Sequence, residues 1–152
     1  MPAGTFTNEW ISQSARILYL GESPPDPNSF WLCLANTALL TRASSTTDFV
    51  AAEPAAEHGY TRANIVFTAG AYDTTDQRYE IPIATATFTA TDASLNFQTA
   101  FLMASAQPTP QDASGVAIAY FVESAPVTVP PGQSYTYQIP YAMLNTGYVN
   151  GI

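Results

Sequence analysis

Chemistry in this chain would have to start from His58 and Cys33, each the only residue of its type, and from acids placed near loops: Glu53, Glu57, Asp73, Asp76 and Glu80. One histidine and one cysteine cannot assemble the ligand clusters of a zinc site. As a general base His58 would need a positioned nucleophile, yet Glu57-His58-Gly59 reads as the end of a loop and no nucleophile elbow occurs elsewhere. The expectation is an exposed loop histidine. Cys33, within Phe30-Trp31-Leu32-Cys33-Leu34, reads as a small buried side chain and, being alone, forms no internal disulfide. A pair among the five acids would suit sugar hydrolysis only if burial raised one of their pKa values. Asp73-Thr74-Thr75-Asp76 lacks the ligand spacing and glycine of an EF-hand loop, so it reads as a polar turn between strands. Neither common phosphate-binding glycine loop is present. The sequence therefore assigns no catalytic, cofactor-binding or metal-binding residue and predicts a protein that is not an enzyme.

Composition narrows the partners. The chain has 152 residues, 47% of them hydrophobic and only 11% charged, enough apolar content for one packed core. Twelve acids face four bases, all arginine, for a net charge of -8. Phosphate backbones repel such a surface, and Arg16, Arg42, Arg62 and Arg78 are too scattered to form a basic stripe, so nucleic acid is not an expected partner. No apolar run approaches the roughly 20 residues of a membrane span, and Met1 to Thr5 lacks the regions of a secretory signal. Membrane contact is not expected either.

The elements that would position side chains begin with a helix within Thr7 to Leu20. Thr7 or Asn8 can cap it, Glu9 suits the first turn, Arg16 lies nearer the end, and Gly21 offers a left-handed stop. Trp10, Ile11, Ala15, Ile17 and Leu18 give it one apolar face. Ser23 to Asn28, with three prolines, reads as a turn. From Ser29 the period becomes that of strands. Phe30 to Ala35 is apolar on both faces, whereas Thr41 to Ala56 reads as a long surface loop. Tyr60 to Thr68 sets Ala63, Ile65 and Phe67 against Arg62, Asn64 and Val66, and Ile83 to Thr89 sets Ala84, Ala86 and Phe88 against Thr85 and Thr87. Leu95, Phe97, Phe101 and Met103 are expected on one face of the next strand. Val116 to Val122 reads as a central strand. Pro130-Pro131-Gly132-Gln133 then gives a hairpin-like signal of type II before Tyr135, Tyr137 and Ile139. Pro82, Pro126 and Pro140 belong at strand starts, bulges or edges.

Six to eight strands with one helix and no βα alternation predict an all-β fold, an antiparallel β-sandwich or jelly roll with one short N-terminal α-helix. Residues 1–28 form the helix and turn packed on the domain, and 29–152 the single β-sandwich domain. Its outer faces are rich in Thr, Asn and Gln rather than charge, a composition that favours contact with other protein. The two tryptophans, Trp10 and Trp31, fall on apolar faces and suit a core better than a sugar platform.

The order of these pieces resembles a family of short tailed-phage virion proteins, the head-decoration and tail-fibre-like proteins. The features that carry it are the opening helix, the apolar strand Phe30 to Asn36, and Gly59-Tyr60-Thr61-Arg62 running into Ile65-Val66-Phe67. Asp112-Ala113-Ser114-Gly115 and Val127-Thr128-Val129-Pro130-Pro131-Gly132 add two turns. Tyr72 to Glu80 is longer and more acidic than the family's usual connection, and Ile81-Pro82-Ile83 stands where a plainer strand is expected.

The resemblance implies a compact β-sandwich in a virus particle and supplies no active-site residues. A capsid decoration or cement protein on the shell exterior is the expected role, with the major capsid protein or other virion proteins as partners. A symmetric oligomer, preferably a trimer, is expected. A tail-fibre or baseplate component is the alternative within that class, and a carbohydrate-binding module the alternative outside it. Tyr148 and Ile152, in the apolar run Tyr141 to Ile152, are candidate partner-facing anchors; a strand over Tyr141 to Val149 is the competing reading.

Overall fold

The computed structural model describes residues 4–75 and 78–139. A short strand β1 (Gly4–Phe6) leads into helix α1 (Asn8–Leu20), and strand β2 (Phe30–Ala35) into helix α2 (Thr46–Ala51). Then follow β3 (Ala63–Ile65), β4 (Ala71–Asp73), β5 (Arg78–Glu80), β6 (Ala84–Thr89), β7 (Leu95–Ala104), β8 (Val116–Val129) and β9 (Ser134–Ile139). Every pairing is antiparallel, and the fold is mostly β. The main sheet has the order β1-β8-β7-β2-β3, while β4-β5 and β6-β9 are two-stranded. None of the described helices is long and apolar enough to cross a membrane.

Helix α1 has the expected limits for the expected reasons. The Thr7 hydroxyl accepts the Trp10 N–H at 3.1 Å, and Gly21 takes the left-handed conformation at the C-terminus. Thr7 also donates to the Ala117 carbonyl at 2.5 Å, which stitches the start of the helix to β8. Its apolar face is shallower than the spacing predicts. Trp10 and Ile11 pack on the core, but Ala15 and Leu18 are exposed and no residue of α1 is fully buried.

The predicted surface loop Thr41 to Ala56 is corrected by α2. Ser45 and Asp48 form a reciprocal capping box, with Ser45 N–H to Asp48 Oδ2 at 2.9 Å and Asp48 N–H to Ser45 Oγ at 3.2 Å. One turn later Phe49 and Val50 enter the core, and the Phe49 ring meets Phe101 at 5.4 Å and Tyr120 at 5.5 Å. There are thus two helices where one was expected. The carboxylate of Glu9 joins them, since Glu9 Oε2 accepts the Thr46 hydroxyl at 2.5 Å, and that hydroxyl accepts the Ala117 N–H at 2.9 Å.

The core lies on both faces of the main sheet. On one face Leu32, Leu34, Leu102 and Phe121 pack with Ala86, Phe88, Tyr137 and Ile139 of the β6-β9 ribbon. On the other, Cys33, Phe101 and Met103 pack with Phe49 and Val50 of α2. The expectation that Leu95, Phe97, Phe101 and Met103 share a face is therefore corrected: the first two join one cluster and the last two the other. A register shift between Phe97 and Thr99 reverses the alternation there.

The proline turn brings a third correction. Gln133 N–H donates to the Pro130 carbonyl at 3.0 Å, and Gly132 has φ 78°, which the turn requires. Yet β9 does not return along β8; it crosses to pair with β6, in register from Ala84 with Ile139 to Thr89 with Ser134. The tip is held there because Ala90, just beyond β6, bonds both turn residues: Gly132 N–H donates to Ala90 O at 2.8 Å and Ala90 N–H to Gln133 O at 3.0 Å. The polar turn at Asp73 to Thr75 does link two strands, β4 and β5. The base of that ribbon is a close crossing, where a Cβ on Gly70 would run into the Glu80 carbonyl oxygen.

Candidate docking surface and buried polar groups

Ribbon β6-β9 alternates strictly. Ala86, Phe88, Tyr137 and Ile139 point into the core, and Thr85, Thr87, Thr89, Ser134, Thr136 and Gln138 point out. That outer face carries no charge, although the chain has a net charge of -8. Its hydroxyls partner one another across the strands, Thr87 with Thr136 at 3.2 Å and Thr89 with Ser134 at 2.7 Å. A face whose polar groups are already paired among themselves loses little when water leaves it, which suits contact with another protein.

Buried ionisable chemistry is concentrated at Glu53 and Arg62, whose side chains are both 0% exposed. Glu53 lies in the bend after α2, near a loop as expected, but buried; Arg62, expected opposite the apolar face of a strand, is corrected to a buried residue just before β3. The Glu53 carboxylate accepts from Arg62 Nε at 2.9 Å and Nη2 at 2.8 Å, from the Tyr60 hydroxyl at 2.7 Å, and from the Gln111 N–H at 2.8 Å. Arg62 donates further to the carbonyls of Gln107 at 3.1 Å and Asp112 at 2.8 Å. The Tyr60 oxygen in turn accepts the Leu34 N–H at 3.0 Å. Every strong donor and acceptor of the knot is thereby used within the chain. It ties the end of α2 to β2 and to the 107–112 segment, so its geometry is that of a clasp and not of a reaction centre.

The other groups singled out by sequence are dispersed. Cys33 is fully buried, and burial first, then the nearby Glu53 charge, push its thiol well above the usual range, which disfavours the thiolate. Burial likewise raises the Tyr60 phenol, followed by the influence of Cys33 and Glu53. His58 is exposed in a turn at φ 55°. Asp92 Oδ1 lies 3.1 Å from its Nδ1 and Glu57 Oε2 3.7 Å from its Nε2. The two acids thus flank opposite edges of the ring and do not converge. The hydrogen bond from His58, helped by Thr91, lowers the Asp92 carboxyl. Asp73 and Glu80 lie on the β4-β5 ribbon, each engaged in an interaction within the chain. Asp76, Tyr148 and Ile152 lie outside the described residues, as do Pro140 and the strand expected over Tyr141 to Val149. Among the described residues no group of three or more His, Cys, Asp and Glu side chains could hold a metal ion.

Open clefts also lie among the described residues. One of about 640 Å³ lies between Pro24-Pro25 and Ser105-Gln107, with Asp26 its only ionisable lining residue. Another of about 740 Å³ runs along the β4-β5 ribbon beside exposed Tyr72 and Ile83. Trp10 packs on the first core cluster and Trp31 on the second, where its Nε1 donates to the Ser105 carbonyl at 3.0 Å. Neither ring is presented as a flat sugar platform. Sequence reasoning missed the Glu53–Arg62 clasp altogether; the alternation of Ala63, Ile65 and Phe67 sets Arg62 on the opposite side, with Asn64 and Val66, and nothing local signals its burial. Comparison with family models, with curated proteins and with solved structures finds no match to this chain.

Proposed function

We propose that this chain is a non-enzymatic structural protein of a tailed-phage virion, a decoration or cement protein on the outside of the capsid that binds the major capsid protein. We read its architecture as a β-sandwich whose second layer is reduced to the β6-β9 ribbon. The observation that carries the functional reading is the charge-free outer face of that ribbon, built from Thr85, Thr87, Thr89, Ser134, Thr136 and Gln138. On a chain of net charge -8 such a face is where a second protein can approach with the least desolvation penalty. The order of elements described for the phage proteins supports the same role. A symmetric oligomer, a trimer by preference, suits a shell, because symmetry repeats one modest contact many times and avidity multiplies it.

Counting copies of the chain in purified particles that carry it tests this reading. A number near that of the shell subunits supports a cement protein. A few symmetric sets would move it to the tail, and absence from the particle would overturn the role.

A further inference from the structure

The ribbon β6-β9 ends beside the cleft of about 740 Å³ that runs along β4-β5. Ile83, one residue before β6, stands in the outward phase of that strand, the phase of Thr85, Thr87 and Thr89, yet it is an aliphatic side chain and 50% exposed. Tyr72, which lines the same cleft, is 60% exposed. Ala69, Ala71 and Pro82 are exposed there as well. The acids of the lining, Asp73 and Glu80, are both engaged within the chain. An apolar wall of this kind gains by being covered.

The place where the chain leaves β9 points to the cover. Ile139, the last residue of β9, is paired with Ala84, so the chain leaves the ribbon opposite Ile83, one strand spacing of about 4.8 Å away. Because β9 runs antiparallel to β6, its exit is directed along Ile83, Pro82 and Ile81, which form one wall of the cleft. No reversal of the chain is needed to enter it. Pro82 and Pro140 lack the N–H groups that a longer β6-β9 ladder would use, so the ladder stops at the mouth of the cleft.

Residues 140–152 lie outside the described residues, but their composition is that of a cover. They carry no charged side chain, and Tyr141, Met143 and Leu144 fall within their first few positions. A neutral apolar segment meets Asp73 and Glu80 without repulsion, whereas a second copy brings a net charge of -8. Extended chain advances about 3.3 Å per residue, so Tyr141 to Leu144 span about 10 Å, directly beyond the exit. So short a tether gives the chain's own segment an effective concentration of about millimolar, against which a free copy competes poorly. We propose that the cleft beside β4-β5 is the seat of the chain's own C-terminal segment, with Tyr141, Met143 and Leu144 covering Tyr72 and Ile83. The seat turns these side chains toward the domain that carries them and away from a partner. Nothing in it depends on the virion role.

The test is NMR of the full chain labelled at its methionine methyls. Met1, Met103 and Met143 are the methionines, and Met103, buried in the cluster of α2, supplies the internal control. Nuclear Overhauser contacts from the Met143 methyl to the Tyr72 ring and the Ile83 methyls are expected, unchanged on dilution and absent between differently labelled copies. Their absence, in spectra that show the Met103 contacts within its cluster, overturns the seat. Contacts seen only between differently labelled copies assign the cleft to a second copy's segment and overturn the seat as well. Chymotrypsin gives a second arm. Cleavage after Tyr141 should be about tenfold faster in Ile83→Asp and in Tyr72→Ser than in the unaltered chain, and unchanged in Val66→Asp, since Val66 is exposed outside the cleft. Equal cleavage in all four chains overturns the seat.

Discussion

The molecule buries polar groups in two places, and they are finished to different degrees. At Glu53 and Arg62 the charges are paired, bidentate and surrounded by further partners from Tyr60, Gln111 and two backbone carbonyls. At Tyr137 a fully buried hydroxyl lacks a hydrogen-bond partner among the described residues. Folding alone accounts for the first arrangement, because it clasps α2, β2 and the 107–112 segment. It does not account for the second, since an orphaned buried hydroxyl costs about 1–3 kcal/mol of desolvation with nothing returned. The difference separates a cluster whose every strong donor and acceptor is used from a hydroxyl that folding leaves unused.

Removing one partner from the finished site should do the most damage. Arg62→Ala leaves the Glu53 carboxylate buried and uncompensated, and a loss of about 3–5 kcal/mol is expected in urea unfolding. Replacing Glu53 and Arg62 together by apolar residues of similar volume should cost much less than the sum of the single changes. An additive pair would show that the clasp is not coupled.

Alkaline pH probes both places at once. Cys33, Tyr60 and Tyr137 all have pKa values raised in the folded state, chiefly by burial. The unfolded chain releases these protons near the ordinary thiol and phenol values of 9.0 and 10.0, whereas the folded chain still holds them. Unfolding then releases protons, so stability is complete below about pH 9 and falls as pH rises above it. Each group contributes a slope of about 1.4 kcal/mol per pH unit until its own folded pKa is reached. Urea midpoints measured from pH 8 to 11 check this, and a flat profile would contradict the burial of all three.

A smaller effect is expected where α1 and α2 meet. Thr46→Val keeps the volume but removes the hydroxyl that accepts the Ala117 N–H and donates to Glu9, at a cost of about 1–3 kcal/mol by thermal unfolding. No measurable loss would mean that water replaces both bonds.

Much of this was legible in the chain, for local reasons. Thr7 and Gly21 fix the ends of α1, and the strict alternation over Ala84 to Thr89 and Tyr135 to Ile139 shows which residues of the ribbon face inward. What was hidden depends on distant partners. The capping box of α2 spans only Ser45 to Asp48 inside a Ser/Thr/Ala run, and its burial is visible only once Phe101 and Tyr120 are brought beside Phe49. The reversal of faces between Phe97 and Phe101 goes with the register shift between β7 and β8 at Phe97 to Thr99, which depends on a partner strand distant in sequence. Arg62 sits in a segment that reads as half-exposed, and only the fold places Glu53 against it. The proline turn was identifiable, but the choice of β6 over β8 as the partner of β9 is a long-range matter of layer packing. Tyr137 was recognisable as an inward residue, whereas its missing partner could not be read from sequence.

Tyr137→Phe in the isolated full chain tests the contrast between the two sites most directly. Deleting a hydroxyl that has no partner should leave the urea midpoint unchanged or raise it, by up to about 1 kcal/mol of stability with the same m-value. A clear loss of stability would show that the fold itself satisfies this hydroxyl, and the distinction between the finished and the unfinished site would fail.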